Sequence, residues 1–194
     1  MSEFYKERIY PLLFMFITTV VCIVLTAGAH ILTFDLAKAN ELSFTRRAIL
    51  NAAGLSYENT TLGIEEVYLA SVTEEEGYYT AIVDGKTRYI IPLIGPGLWG
   101  TIEIMAGLEE DLTTFSGVAI VNQSETPGLG GRIEEPWFTA QFAGKQGPFT
   151  LVEEGTAAQA HEVDGITGAS RTSEYFKNLT DRAASEARRI IQGV

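Results

Sequence analysis

Residues 65–95 read EEVYLASVTEEEGYYTAIVDGKTRYIIPLIG, a run of strand-forming side chains interrupted by turn residues. Gly77 interrupts the run first, and the dipeptide Asp84-Gly85 follows a short apolar stretch. Asp-Gly between two strand-like segments favours a tight hairpin, because the turn that suits a right-handed strand twist needs a positive φ at both central positions. The stretch therefore predicts two or three antiparallel strands.

More strand and helix patterns follow towards the C-terminus. TIEIMAG at 101–107 and the apolar residues 118–121 each predict a further strand, and residues 123–131 predict a loop dense in turn formers. Between residues 175 and 191, apolar side chains recur every three or four positions with charges between them, which predicts one amphipathic helix packed on the sheet. We therefore expect a single domain of the α+β class, with an antiparallel sheet and packed helices.

The N-terminal region contains the uncharged apolar stretch PLLFMFITTVVCIVLTAGAHI at Pro11 to Ile31. Its length meets the requirement of about 20 apolar residues for a transmembrane helix. A cleaved signal peptide is the alternative, since the small residues 27–29 resemble a cleavage site, but a signal-peptide core has only about 7–15 apolar residues. We therefore expect a membrane anchor over residues 1–34, a juxtamembrane helix and stalk over 35–56, and the folded domain over 57–194.

Positive charges on both sides of the apolar stretch bear on its orientation. Lys6 and Arg8 precede it closely, whereas Lys38, Arg46 and Arg47 follow at a greater distance. Positive charge close to the membrane favours the cytoplasmic side. The sequence therefore predicts a single-pass protein of the inner (plasma) membrane, with a cytoplasmic N-terminus and an extracytoplasmic main domain.

Just after the apolar stretch, residues 39–54 read ANELSFTRRAILNAAG. Leu42, Ala48 and Ile49 lie at spacings that suit one helical face. Gly54 suits a helix C-terminus, because glycine adopts the left-handed conformation that ends many helices. The segment therefore predicts a short juxtamembrane helix.

Composition excludes several classes of function. The chain has 194 residues and a formal charge of −11, which argues against nucleic acid or an anionic lipid surface as partner. Cys22 is the single cysteine and lies in the apolar stretch, so neither an internal disulfide nor a thiolate metal site is possible. His161 stands alone in the outer region, and we expect no metal site and no catalytic acid/base residues.

The segment DGITGASRTS at 164–173 places a cluster of hydroxyl side chains at the mouth of the expected C-terminal helix. A serine or threonine there is a preferred N-cap, because its oxygen accepts hydrogen bonds from the free N–H groups of the first turn. A helix N-terminus also attracts phosphate, and Gly168 and Ala169 would leave it uncrowded. Both readings fit the cluster, which comprises Thr167, Ser170, Thr172 and Ser173.

Three motifs of the chain resemble the signatures of the FMN-binding domain family. DGITGASRTS at 164–173 is similar to the FMN-attachment motif, SETPGLGGRI at 124–133 to the second signature and GPGLWGTIEIMAGL at 95–108 to the third, in the expected order. With its single N-terminal span, the chain is similar to the G subunits of Rnf-type ion-translocating electron-transport complexes. The related C subunits of sodium-translocating NADH:quinone oxidoreductases are the alternative.

The resemblance implies that FMN is joined through its phosphate to the hydroxyl of Thr172, placed there by an FAD-dependent flavin transferase. Thr167 stands where the family usually has serine and Ser170 where it usually has threonine, and both keep a hydroxyl. Trp99 is equally explained as a core aromatic, and TPGLGG at 126–131 as a plain turn. The expected FMN-binding residues are Leu98, Trp99, Glu125, Thr126, Gly128, Leu129, Gly130, Thr167, Gly168, Ala169, Ser170, Thr172 and Ser173.

The resemblance also implies a role. We expect an electron-carrying subunit of a membrane-bound ion-translocating redox complex, which works with other subunits and is not catalytic alone, since the redox chemistry belongs to the cofactor. One alternative is a membrane-anchored extracytoplasmic flavin reductase, although no additional substrate domain is visible. Another is an anchored binding or sensory module without a cofactor.

Overall fold

The computed structural model describes residues 5–193, which divide into one compact unit up to Leu42 and another from Ser43. The first unit contains a π-helical turn at Tyr5–Ile9 and the beginning of helix α1, Tyr10–Ala53. Its apolar side chains, such as Leu25, are exposed. In the described part of the chain, this is the one helix long and apolar enough to cross a membrane, by length and composition.

Helix α1 continues through the segment for which the sequence predicted a separate juxtamembrane helix. Residues 29–53 contain neither glycine nor proline, and good helix formers such as Leu36, Ala37 and Ala39 follow the apolar stretch. Nothing in the local sequence therefore interrupts the helix. It ends where predicted, since Gly54 adopts a left-handed φ of +70°.

The second unit combines a sheet with short helices, which confirms the α+β class. Its further helices are α2 (Thr61–Ser71), α3 (Pro136–Ala140), α4 (Ser170–Asp181) and α5 (Ala183–Gln192), with a 3-10 turn at Gly130–Glu134. Its strands are β1 (Val72–Glu75), β2 (Tyr78–Val83), β3 (Lys86–Pro96), β4 (Thr101–Leu108), β5 (Phe115–Asn122), β6 (Thr150–Val152) and β7 (Glu162–Asp164). Strands β1 to β5 form an antiparallel sheet in sequence order, and β6 pairs with β7 in parallel.

The predicted hairpins are confirmed, but the strands begin later than the sequence indicated. Asp84 and Gly85 have φ values of +53° and +76° between β2 and β3, as a tight hairpin requires. Glu65 to Ser71, which the sequence pattern assigns to the strand-forming run, instead belong to α2. The Thr60 side chain caps this helix by accepting a hydrogen bond from the N–H of Gly63, at 3.0 Å.

The large sheet is covered on both faces. Helices α3, α4 and α5 lie over one face, where four fully buried phenylalanines fill the core: Phe115, Phe138, Phe142 and Phe176. The last turns of α1 pack on the other face, with Ile49 and Ala52 against Ile90 and Met105. A sheet with both faces buried is rigid, and loops at its ends can be held in fixed positions.

The C-terminal helical region is split into α4 and α5, whereas the sequence predicted one helix from 175 to 191. The break lies at Arg182, whose N–H bonds to the carbonyl of Leu179 at 3.3 Å in a tightened last turn of α4. Close by, the Thr180 hydroxyl donates to the carbonyl of Lys177, at 2.8 Å. Hydroxyl bonds of this kind compete with the regular helical pattern. Both helices still pack on β3, as predicted.

The C-terminal end of α1 rests directly on strands β4 and β5. The carbonyl of Ala52 accepts a hydrogen bond from the Ser116 hydroxyl, at 2.8 Å, and the carbonyl of Ala53 accepts one from the Arg88 guanidinium. Beneath them lie two glycines that face each other across the strands, Gly107 and Gly117. Side-chain donors therefore satisfy two carbonyls of a helix end that would otherwise lack partners.

Candidate functional site

Thr172 lies in the first turn of α4 and is the most enclosed hydroxyl of the attachment motif together with Ser173. Its residue exposure is 1%. Its hydroxyl donates a hydrogen bond to Oε2 of Glu125, and the two oxygens are 2.6 Å apart. Glu125 is itself 5% exposed, so the pair forms a buried polar contact between two of the three motifs.

The third motif holds the other oxygen of the Glu125 carboxylate. The backbone N–H groups of Leu98 and Trp99 both donate to Oε1, at 2.7 and 3.1 Å. They belong to a tight turn that is closed by the N–H of Gly97 on the carbonyl of Gly100, at 2.6 Å. A carboxylate that accepts two backbone N–H bonds is fixed in orientation, so Oε2 is directed at Thr172.

Two glycines leave the space that this contact needs. A Cβ atom at Gly97 would lie 2.5 Å from Oε1 of Glu125. A Cβ atom at Gly130 would lie 2.6 Å from Oε2 of Glu125 and 2.7 Å from the Thr172 hydroxyl. Both distances are well inside van der Waals contact. The glycines of the two loops therefore permit backbone to approach the carboxylate closely.

The hydroxyl cluster does not cap α4, so that interpretation is wrong. The N-cap residue is Ala169, and no side chain makes a capping hydrogen bond there. The Ser173 hydroxyl donates to the carbonyl of Ala169 at 3.1 Å and accepts from the N–H of Ile166 at 2.9 Å, which fixes the chain before the helix. Thr167 and Ser170 are exposed. The first N–H groups of α4 are therefore not used by a capping side chain.

A charged network that the sequence did not single out lies beside Thr167. Oε2 of Glu154 accepts a hydrogen bond from the N–H of Thr167, at 2.8 Å, while its Oε1 pairs with Arg132 at 2.8 Å. The Arg132 guanidinium and the N–H of Thr167 lower the pKa of the Glu154 carboxyl to about 2. Glu154 together with Glu135 raises the pKa of Arg132. Arg132 stands in the second motif, but nothing local in the sequence points to its partner 22 positions later.

Apolar side chains project outward around the buried pair. Trp99 is 71% exposed, so its interpretation as a core aromatic is wrong. Leu98 and Leu129 are also exposed, and Leu129 approaches Gly168 at the start of α4. An open cavity of about 800 Å³ adjoins this region and is lined by Glu154, Thr167, Gly168 and Ser170, among others. Its volume lies in the range of ligand pockets.

The loop at 126–131 is a closed turn rather than an extended segment. The carbonyl of Thr126 accepts hydrogen bonds from the N–H groups of Leu129 and Gly131, at 3.1 and 3.0 Å. Gly128 adopts a φ of +75° in this turn. Thr126 and Gly128 are exposed, whereas Gly130 lies against the Glu125–Thr172 pair. Of the predicted binding residues in this loop, only Glu125 and Gly130 therefore lie at the pair itself.

Comparison with known proteins agrees with the geometry. Residues 97–185 match the FMN-binding domain family. Among the C subunits of Na(+)-translocating NADH-quinone reductases, that of Vibrio vulnificus is 31% identical over 157 residues, which cover 77% of this chain and 62% of that protein. The one from Vibrio anguillarum is 38% identical over 106 residues, covering 50% and 42%. The chain thus spans roughly half the length of these relatives.

A solved structure shares the fold. The crystal structure of one of these C subunits, from Parabacteroides distasonis, matches with a TM-score of 0.68 and 26% identity, over 78% of this chain and 93% of that one. The resemblance inferred from the three motifs is therefore confirmed. Residues 97–185 form an FMN-binding domain, and the chain is homologous to the C subunits of the Na(+)-translocating NADH-quinone reductases.

Proposed function

We propose that this chain is an electron-transfer subunit of a membrane-bound, ion-translocating redox complex of the Rnf type, with FMN joined through its phosphate to Thr172. The observation that carries the proposal is the convergence of three separate motifs on one hydroxyl. Thr172, Glu125 and the turn of Leu98 and Trp99 come from different parts of the chain and meet in one hydrogen-bonded group.

The residues around Thr172 suit a flavin phosphate. The first N–H groups of α4 are not engaged by a capping side chain, and a helix N-terminus favours phosphate. The exposed side chains of Leu98, Trp99 and Leu129 offer apolar surface for a ring system. Bound FMN would supply the electron-carrying chemistry, while these residues hold and orient it.

Attachment requires a second protein. We propose that an FAD-dependent flavin transferase modifies Thr172, in keeping with the attachment motif at 164–173. An ester bond prevents loss of the cofactor by dissociation. Such retention suits a domain outside the cytoplasm, because that domain cannot draw on the cytoplasmic flavin pool.

The apolar part of α1 would anchor the chain in the inner membrane, with the N-terminus in the cytoplasm. Arg8 precedes the apolar stretch closely, as does Lys6 in the sequence. A reporter that is active only outside the cytoplasm, fused after Val194, is therefore expected to be active. A reporter that works only inside serves as the matched control and is expected to be silent. The reverse pair of results, with both fusions stable, would contradict this orientation.

The function itself is tested by copurification. A single membrane span cannot form an ion path by itself, so ion transport has to come from other subunits. We expect the tagged chain, extracted from native membranes in mild detergent, to copurify with several polytopic membrane proteins identified by mass spectrometry. An unrelated single-span protein with the same tag is the control. A chain that purifies alone and rapidly oxidises NADH with a soluble acceptor would instead be a flavin reductase.

The second candidate is a role among the C subunits of sodium-translocating NADH:quinone oxidoreductases. Similarity to such subunits over 77% of the chain favours it. The same copurification separates the two candidates, because the partner subunits of the two complexes differ in sequence.

A further inference from the structure

We infer that Glu125 is the general base for attachment of FMN to Thr172. This inference rests on the proposed attachment at Thr172 and adds the residue that accepts the proton. A threonine hydroxyl is a weak nucleophile, and it is usually activated by a base within about 2.6–3.2 Å. Oε2 of Glu125 lies 2.6 Å from the Thr172 oxygen and already accepts its hydrogen bond.

Glu125 has the features of an oriented base rather than of a surface carboxylate. The N–H groups of Leu98 and Trp99 occupy Oε1 and leave Oε2 for the hydroxyl. The N–H of Glu125 itself donates to Oε1 of Gln123 at 2.5 Å, which fixes the backbone that carries the carboxylate. Within residues 5–193, no basic side chain forms an ion pair with Glu125, so its charge is not already neutralised by a cation.

The step balances with FAD as the flavin donor. The Thr172 oxygen forms a bond to the phosphorus on the FMN side of the FAD pyrophosphate. The bond from that phosphorus to the bridging oxygen breaks, and AMP leaves with its electron pair. The hydroxyl proton passes to Oε2 of Glu125. No oxidation or reduction takes place, and no co-reactant besides FAD is required.

Phosphorus can reach the hydroxyl only after a cover has moved, because Thr172 is 1% exposed. The turn at 128–131 is that cover, since Gly130 lies against both the Thr172 hydroxyl and Oε2 of Glu125. The turn is closed by two hydrogen bonds to the carbonyl of Thr126 and carries the exposed Leu129 at its tip. Its displacement leaves the bonds from Leu98 and Trp99 to Oε1 intact, so the base keeps its orientation while the hydroxyl is uncovered.

The test is the rate of FMN incorporation into the full-length chain, purified without flavin, in the presence of flavin transferase and FAD. Intact-mass spectrometry follows the gain of mass with time. Glu125→Gln keeps the size of the side chain and an oxygen for the two N–H donors, but it cannot accept the proton. We expect it to slow incorporation by about 100-fold or more. Glu134→Gln is the matched control, because Glu134 is exposed and bonds only to Gln123.

Glu125→Asp separates loss of the base from loss of folding. It keeps the carboxylate, and we expect its rate to lie between those of the unaltered chain and Glu125→Gln. Thermal melts of all variants establish that they fold. Incorporation into Glu125→Gln at the rate of the unaltered chain would overturn the inference and assign proton removal to the transferase. Failure of the unaltered chain to gain FMN, or peptide mapping to a residue other than Thr172, would overturn the proposed attachment itself.

Discussion

Replacing Thr172 by Ala or Val is expected to abolish covalent FMN, because either change removes the hydroxyl on which three motifs converge. Val retains nearly the volume of Thr, so it separates the chemical loss from the loss of packing at a residue that is 1% exposed. Intact-mass measurement of chain purified from native membranes should lack the mass of FMN in both variants. Tryptic peptides that span position 172 should carry FMN in the unaltered chain alone.

The control for this prediction is Thr139→Ala, which removes a hydroxyl from α3, outside the three motifs. It is expected to retain FMN at full yield. FMN retained on Thr172→Ala and Thr172→Val at full yield would contradict the assignment. Peptide mapping would then identify the true acceptor, with the exposed hydroxyls of Thr167 and Ser170 as the nearest alternatives.

The same variants carry a cost in stability that is separate from the loss of FMN. In the unmodified chain, Thr172 is the side-chain donor to Oε2 of Glu125. Removal of the hydroxyl leaves a buried carboxylate oxygen without that donor, which typically costs about 1–3 kcal/mol. Melts of unmodified protein therefore have to accompany the mass measurement, so that a low yield of FMN is not confused with poor folding.

Local signals in the sequence predicted the parts of the fold that depend on neighbouring residues. Asp84-Gly85 specifies a hairpin because two successive positive φ values suit few other dipeptides. Gly54 marks the end of α1 for a similar reason. The strand prediction for the region before β1 is wrong, because Val67, Tyr68 and Leu69 suit a strand as well as a helix. The N-cap at Thr60, rather than residue propensity, favours the helix there.

The candidate site could be predicted only as a set of residues, not as an arrangement. The motifs nominated Thr172 and Glu125, yet these lie 47 positions apart, and no periodicity connects residues at that separation. The contact exists because the sheet brings the loop after β5 and the start of α4 together. The pairing of Arg132 with Glu154 was missed for the same reason. Long-range polar contacts depend on tertiary packing, which a single sequence does not display.

Gly107→Ala is expected to give the largest loss of stability among single-methyl additions in the second unit. Gly107 does not have a left-handed φ, so Ala causes no backbone strain and the effect reports space alone. A Cβ atom there would clash with the carbonyl of Ala52 in α1 and with the Ser116 hydroxyl that bonds to it. Overpacking against backbone typically costs up to about 3 kcal/mol. We therefore expect the melting temperature of the full chain in detergent to fall by about 6–12 °C.

A graded series distinguishes this steric cause from a general intolerance of glycine replacement. At Gly117 a Cβ atom would lie 3.0 Å from the carbonyl oxygens of both Asn51 and Ala52, so Gly117→Ala should lower the melting temperature by less. At Gly131 the nearest atom would be 3.3 Å away, and Gly131→Ala should have the smallest effect of the three. Because the three changes add the same methyl group, only the distance to the opposing backbone differs in kind. Equal shifts at all three positions would mean that the last turns of α1 do not pack closely on β4 and β5.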